Sequence, residues 1–373
     1  MGTSLLEALT KNGIQIPSPC GGKATCKQCK VQVILGGEEA LEVEKSTFTS
    51  EQIQEGWKLS CQNKVKRALH ISLEPYLLNV EEVEAEVISN QNVATFIKEL
   101  IVKVPKPISY RSGAYMQIHV PPFHTNTSEW KENMNQKYWQ DWEQFDLFGR
   151  EIDFSHLDQE AVIRAYSMAS YPAEGQKMMF NIRIATPPFA KEELVSGIPW
   201  GICSSYLFSL CSGDRIRMSG PYGESFMKEG SRELIFLIGG AGSSFSRSHI
   251  LHLLKTEKSL RSISLWYGAR SLKENIYQEE YEKLEKEVEN FSYHLVLSEP
   301  LEEDIAAGWR RDDPVKTNFL FRAFEEGKLK RMEEPEEALY YVCGPPLHNK
   351  SVLALLDDYG VQPENIVLDD FGS

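Results

Sequence analysis

Four cysteines in the first 61 residues, Cys20, Cys26, Cys29 and Cys61, constrain this chain more than any other feature. Three lie in the run Cys20-Gly21-Gly22-Lys23-Ala24-Thr25-Cys26-Lys27-Gln28-Cys29, and the fourth follows in Leu59-Ser60-Cys61-Gln62. Three close thiolates and a remote fourth form a ligand set. A [2Fe-2S] cluster takes a C-x4-C-x2-C run with a distant fourth Cys; here the first gap holds five residues. A structural zinc also takes four cysteines, but as two C-x2-C pairs, and only Cys26 and Cys29 make such a pair. The spacing favours the cluster, with zinc as the alternative. Gly21 and Gly22 lack side chains, so their N–H groups are free to approach cluster sulfurs and stabilise the reduced, more negative state. The total of seven cysteines is odd, which fits metal ligation in a reducing cytoplasmic compartment better than a disulfide framework.

A second dense segment is Arg164-Ala165-Tyr166-Ser167-Met168-Ala169-Ser170. It offers a cation, an aromatic face and two hydroxyls, which together suit a flavin: the ring rests on the phenol and Arg164 forks onto the diphosphate. β-branched, alternating stretches at 83–87, 95–104 and 114–120, punctuated by Pro105, Pro107 and Gly113, predict antiparallel strands of a small barrel. Between 121 and 158 the pattern lapses into a polar insert carrying Trp130, Tyr138, Trp139, Trp142, Phe145 and Phe148. The insert reads as a surface excursion that packs its own aromatics, or as a docking surface. Gly201-Ile202-Cys203-Ser204-Ser205 opens a helix whose free N–H groups suit a diphosphate, with Cys203 a small packed residue.

Further on, an apolar strand at 234–238 runs into Gly239-Gly240-Ala241-Gly242 and a helix expected from near Arg247, a nucleotide-binding opening. Strand ends before Gly268-Ala269-Arg270 and before Cys343-Gly344-Pro345-Pro346, with helical stretches at 279–289 and 349–358, complete the alternation of a parallel sheet. The 373 residues suit two or three domains. A net charge of −14 argues against a nucleic-acid partner. No apolar run approaches the roughly 20 residues that span a bilayer, and Met1 opens no signal peptide, so the chain as given reads as soluble.

Taken in order, the cysteine set, Arg164-x-Tyr166-Ser167-x-x-Ser170, Gly239-Gly240-Ala241-Gly242, Tyr267-Gly268-x-Arg270 and Cys343-Gly344-Pro345-Pro346 resemble the ferredoxin-NADP reductase superfamily with a fused ferredoxin domain. The five-residue gap, the aromatic insert and the ending Leu368-Asp369-Asp370-Phe371-Gly372 are most similar to the electron-input family of Na+-translocating NADH:quinone reductases, over nearly the whole chain. The resemblance implies a multidomain fold: an α+β ferredoxin-like (β-grasp) [2Fe-2S] domain at 1–78, an antiparallel β-barrel FAD domain at 79–228 with the insert at 121–158, and an α/β parallel-sheet NAD-binding domain at 229–373. It implies that NADH gives a hydride to FAD, and that single electrons pass through the cluster to (ubi)quinone-reducing, sodium-transporting membrane subunits. The place implied is the cytoplasmic face of the inner membrane.

Carried over by position, Arg164, Tyr166, Ser167 and Ser170 hold the flavin, and Gly201, Cys203 and Ser204 meet its diphosphate. Gly239, Gly240, Gly242, Arg270, Cys343 and Gly344 hold or face the nicotinamide nucleotide, and Cys20, Cys26, Cys29 and Cys61 ligate iron. Phe371 resembles the terminal aromatic that covers the flavin until nicotinamide displaces it; Tyr166, Ser167, Cys343 and Phe371 form the implied catalytic group. There are three departures. Phe245 stands where the family usually has Pro, and Arg270 and Lys273 would tolerate a 2'-phosphate, so the choice of NADH comes from the resemblance alone. The family also carries a membrane helix and the first ferredoxin strands ahead of Ser4, so a truncated ferredoxin domain is expected. The alternatives are a soluble reductase component of an oxygenase and, from another class, a non-catalytic zinc or nucleotide-sensing protein.

Overall fold

A computed structural model describes residues 2–74, 77, 80–157, 162–190, 193–195 and 197–370. The chain opens with helix Leu5–Lys11, capped by Ser4, whose hydroxyl accepts from the Glu7 amide; Leu5 and Leu9, one turn apart, are its buried face. Behind it lies a three-stranded antiparallel sheet ordered Trp57–Leu59, Lys30–Leu35, His70–Ser72. Val31 and Val33 alternate inward there, with Cys29 and Leu59 in the same small core. The buried Glu44 carboxylate accepts from the Leu41 amide (2.9 Å), the Leu59 amide (2.8 Å) and Asn63 Nδ2 (2.6 Å), and faces Lys58 at 3.5 Å. It thereby grips the chain on both sides of Cys61.

Next comes a six-stranded antiparallel sheet ordered Lys177–Arg183, Ile97–Lys103, Glu81–Ala94, Arg215–Tyr222, Tyr115–Val120, Val162–Ser167. Its outer strands meet: Met168 pairs with Phe180, and the Ala169 amide donates to Met179 O at 2.7 Å. The sheet is thus closed into a barrel, leaving no exposed edge at the seam. Inward residues such as Val83, Ala85 and Val87 alternate with outward glutamates on the same strand, as a one-sided core requires.

The insert is a surface excursion that packs its own aromatics, Trp130 on Trp142 and Trp142 on Phe148, and turns them onto the barrel. Its ends pair as strands, His124–Asn126 against Glu151–Asp153. Between them Trp130, Tyr138 and Trp142 are buried, and Trp130 and Trp142 lie against Phe208 of the barrel's helix. Trp142 Nε1 donates to Thr95 O at 2.8 Å, satisfying the one polar group of that ring. These aromatics extend the barrel core, so the docking-surface reading fails for them.

The last sheet is parallel, ordered Phe291–Leu297, Ile263–Ala269, Leu234–Gly239, Leu339–Cys343, Ile366–Leu368. Its central strands are apolar throughout because helices cover both faces. In chain order the strands run 3-2-1-4-5, so the order reverses between Leu234–Gly239 and Leu339–Cys343, and the crevice beyond their carboxyl ends is where such sheets take ligands. One boundary differs from expectation: the helix after the glycines starts at Ser243, not near Arg247. Serines are weak helix formers, but Ser243, Ser244 and Ser246 are buried against strand ends, and tertiary packing overrides propensity.

Trp142→Ala should cost about 3–5 kcal/mol in urea unfolding, the range for deleting a fully buried large aromatic. A loss below about 1 kcal/mol would mean that the insert is peripheral to the barrel.

Candidate active site

A cavity of about 410 Å³ opens where barrel, parallel sheet and cysteine loop meet. The barrel contributes Arg164 to Ser167 from the end of one strand, and Asn181, Arg183 and Ala185 from its neighbour across the seam. Two helix starts line it: Gly201 at the start of Ile202–Ser209, and the 3-10 turn Gly240–Gly242 that runs directly into Ser243–Leu251. Each leaves first-turn N–H groups without intrahelical partners, and these attract anions. Glycine is required at both. A Cβ on Gly201 would lie 2.6 Å from Ala185 Cβ, and one on Gly242 would lie 2.5 Å from Cys343 O.

Tyr166 presents its ring to the cavity while its hydroxyl bonds with the Cys203 thiol. Burial holds both groups protonated, pushing the Tyr166 phenol well up and the Cys203 thiol up to about 12. Arg164 Nη1 donates to Ile163 O at 2.8 Å, and Arg183 adds a second cation whose pKa is lowered by burial, with Arg270 nearby. Ser167 donates to Asp369 Oδ2 at 2.8 Å across 202 positions of sequence. Burial pushes the Asp369 carboxyl up to about 6.

The cysteine loop abuts this cavity. Pro19 lines it, and a Cβ on Gly21 would lie 2.1 Å from Arg164 Nη1. The loop is held to the barrel by Ser18 N donating to Gln117 Oε1 (2.9 Å) and by Tyr115 donating to Gln28 Oε1 (2.7 Å). Its four thiols meet as two pairs: Cys20 and Cys26 sulfurs lie 3.2 Å apart, and Cys29 bonds with Cys61. The bond from Cys26 pulls Cys20 down to about 4, and that from Cys29 pulls Cys61 down to about 7; Cys26 and Cys29 are pushed up in return. Two adjoining pairs fit two irons better than a single zinc. Backbone N–H groups of Lys23, Ala24, Cys26 and Gln28 point at the sulfurs. The Gly21 and Gly22 amides, expected in that role, donate to Ser18 instead. Positive φ at Gly21, Gly22, Ala24 and Lys27 winds the loop so that the later amides turn inward.

Of the remaining residues singled out from sequence, Ser204 and Gly344 also line the cavity, as does Gly239. The Ser204 hydroxyl is already engaged, accepting from the Ala185 amide and donating to Gly201 O, both at 3.1 Å. Ser170 lies outside, buried, accepting from the Met179 amide (3.2 Å) and Tyr110 (3.3 Å), so it knots the barrel seam. Gly240 (φ 55°) shapes the turn, Cys343 packs its sulfur behind Gly242, and Arg270 is exposed. Phe371 falls outside the described residues. Asn181, Arg183 and Asp369 were missed as site residues. Asn181 Nδ2 donates to Ser243 Oγ (2.6 Å) and its Oδ1 accepts from Tyr277 (2.8 Å), tying barrel to parallel sheet. An aromatic wall, two cations and two helix starts fit a dinucleotide carrying a flat ring.

Three family profiles match the chain: the 2Fe-2S iron-sulfur cluster binding domain at residues 1–66, the oxidoreductase FAD-binding domain at 148–226 and the oxidoreductase NAD-binding domain at 236–352. Among solved structures, an Amycolatopsis cytochrome P450 reductase, GcoB, superposes with a TM-score of 0.66 at 20% identity, over 99% of this chain and 94% of that one. The ferredoxin reductase of a carbazole 1,9a-dioxygenase gives 0.60 at 19%, over 99% and 93%. At such identities these show the fold. Whole-chain relatives are nearer: the F subunit of the Na(+)-translocating NADH-quinone reductase of Chlamydia caviae is 62% identical, covering 100% of this chain and 87% of the relative. The corresponding proteins of Chlamydia trachomatis and Marinomonas sp. are 59% and 45% identical with the same coverage. The chain therefore belongs to the family of F subunits of Na+-translocating NADH-quinone reductases.

Proposed function

We propose that this chain takes a hydride from NADH onto FAD and sends single electrons through a [2Fe-2S] cluster towards quinone-reducing, Na+-translocating membrane subunits, at the cytoplasmic face of the inner membrane. The observation that carries the reading is convergence: Pro19, next to Cys20, lines the same cavity as Tyr166, Gly201 and Gly242. The names of the relatives favour NADH as donor and quinone as final acceptor. When bound, the flavin accepts a hydride and releases electrons singly, which the cluster carries one at a time.

The chain's own residues do the rest. Arg164, Arg183 and the amides of Ile202 and Cys203 bind the diphosphate, and Tyr166, fixed by its bond to Cys203, offers a ring face. Gly239, Gly242 and Gly344 let the nicotinamide nucleotide approach closely, with Cys343 setting the depth of that wall. Above about pH 6 the ionised Asp369 takes the Ser167 proton in a hydrogen bond, leaving the hydroxyl oxygen as an acceptor at the cavity. Domain limits near residues 78 and 228 are part of the proposal. The oxygenase-reductase reading shares the fold, but identities of 45–62% over the whole chain favour the quinone reductase.

Cys61→Ala should lose the cluster while NADH oxidation with a dye that takes electrons from flavin stays within about twofold of the parent, because hydride transfer uses other residues. Loss of flavin reduction by NADH in a variant that still binds FAD would sink the separable-module reading. Tyr115→Phe removes the bond to Gln28, between Cys26 and Cys29, from the cross-strand partner of Ser167. Cluster reduction followed by stopped flow should slow by about tenfold with flavin reduction unchanged, since transfer depends on placement. Equal rates would mean that the loop is held without it.

The Asp369 carboxyl is raised from its ordinary 3.8 to about 6, so between those values the folded chain holds a proton that the unfolded chain has released. Stability from this group therefore falls as pH rises through that window and is flat above it. Asp369→Asn should flatten the fall in urea midpoint between about pH 4 and 6. Parallel curves for parent and variant would show that the carboxyl titrates at its ordinary value.

A further inference from the structure

Cys61 joins the other three cysteines from a separate segment of the chain, and the residue beside it, Gln62, touches both sides of that junction. One amide nitrogen does so: Gln62 Nε2 donates to Gly22 O at 3.0 Å and to Cys61 Sγ at 3.4 Å. A primary amide carries two N–H groups, so both bonds form at once. The surrounding backbone holds the side chain in this pose. Gln62 N donates to Leu59 O at 2.9 Å, and the Gly22 amide donates to Ser18 Oγ at 3.2 Å. Gly22 and Cys61 are close neighbours, since a Cβ on Gly22 would rest against Cys61 Cβ at 3.9 Å.

The bond to Gly22 O alone would tie the cysteine loop to the segment after Leu59. The second N–H points at a sulfur, although Gln62 is only partly buried and water could serve it. An N–H dipole aimed at a ligand sulfur stabilises the state that holds the added electron, and hydrogen bonds to the sulfurs are among the levers that set a cluster's reduction potential. Away from bulk water such a bond is electrostatically stronger than in solution. We infer that Gln62 is a positioning residue for electron transfer: through Cys61 it raises the reduction potential of the cluster and so favours passage of the electron from flavin to iron. The inference rests on the reading of the four cysteines as ligands of a [2Fe-2S] cluster.

Redox titration of the FAD-loaded, iron-loaded chain, followed by the electron paramagnetic resonance of the reduced cluster, tests this with two substitutions. Gln62→Met keeps an unbranched side chain of similar length and removes both N–H groups; Gln62→Lys keeps a donor. In Gln62→Met the equilibrium constant for reducing the cluster should fall about three- to tenfold, a drop of roughly 30–60 mV in midpoint for a one-electron couple. Gln62→Lys should keep the parent midpoint or exceed it, and the flavin midpoint should stay put in both. A purely structural Gln62 would change how much iron each variant holds and leave the midpoint of the retained cluster alone. The parent midpoint in iron-loaded Gln62→Met, an equal drop in Gln62→Lys, or loss of iron from both variants would each overturn the inference. Absence of iron and of the cluster signal from the parent itself would instead overturn the cluster assignment on which it rests.

Discussion

The buried guanidinium of Arg247 is the constraint on which the reductase half depends. Its Nε donates to Glu280 Oε2 at 2.7 Å within the parallel-sheet domain, while Nη1 donates to Glu174 Oε2 (3.1 Å) and Ala169 O (2.8 Å) of the barrel. A planar fork of five donors can serve both domains at once, as a lysine ammonium could not. With its side chain only 7% exposed, the ion pair is shielded from salt, and removing one partner from such a site costs about 3–5 kcal/mol. Bonds from Ser248 to Ser170 O (2.8 Å) and from Asn181 to Ser243 extend the same seam. The flavin cavity exists only because this seam sets the barrel's strand ends opposite the glycine turn.

Once the seam is fixed, the rest of the site follows from close approach. Gly201 and Gly242 each bring a helix start so close to a neighbouring segment that a Cβ would clash there, and the cysteine loop packs Gly21 against the arginine of the flavin seat. The loop's position is set by side chains from the barrel, Gln117 and Tyr115, and Tyr115 stacks on Tyr222 at 5.5 Å. Electron donor site, flavin seat and cluster loop are thus built on three adjoining rigid edges, which is how contacts made between domains come to shape chemistry.

Much of this was legible in the residues, for reasons of range. The cluster loop, the aromatic and cation of the flavin seat and the glycine turn are each contiguous, so spacing alone exposes them. What escaped was contact between distant segments. Asp369 meets Ser167 across 202 positions, and Asn181 meets Ser243 across 62, with no local pattern to betray either pair. Ser170 sits within the motif yet faces away, because successive strand residues alternate sides and the chain turns at Met168 to close the barrel. The insert's polar spacing of Lys, Glu and Gln marks a surface excursion, and that its Trp130 and Trp142 also join the barrel core is a contact between distant segments. The helix begins at Ser243, ahead of Arg247, because burial of Ser243, Ser244 and Ser246 outweighs the weak helix propensity of serine.

One electron path would then run from nicotinamide through flavin to cluster within this single chain. Anaerobic NADH titration of fully loaded protein, read by flavin absorbance and by the electron paramagnetic resonance of the reduced cluster, follows that path. Two electrons for the flavin and one for the cluster predict full reduction at about 1.5 equivalents of NADH, with the cluster signal rising in the same titration. An endpoint at about one equivalent with a silent cluster, in protein that iron analysis shows to be loaded, would contradict it.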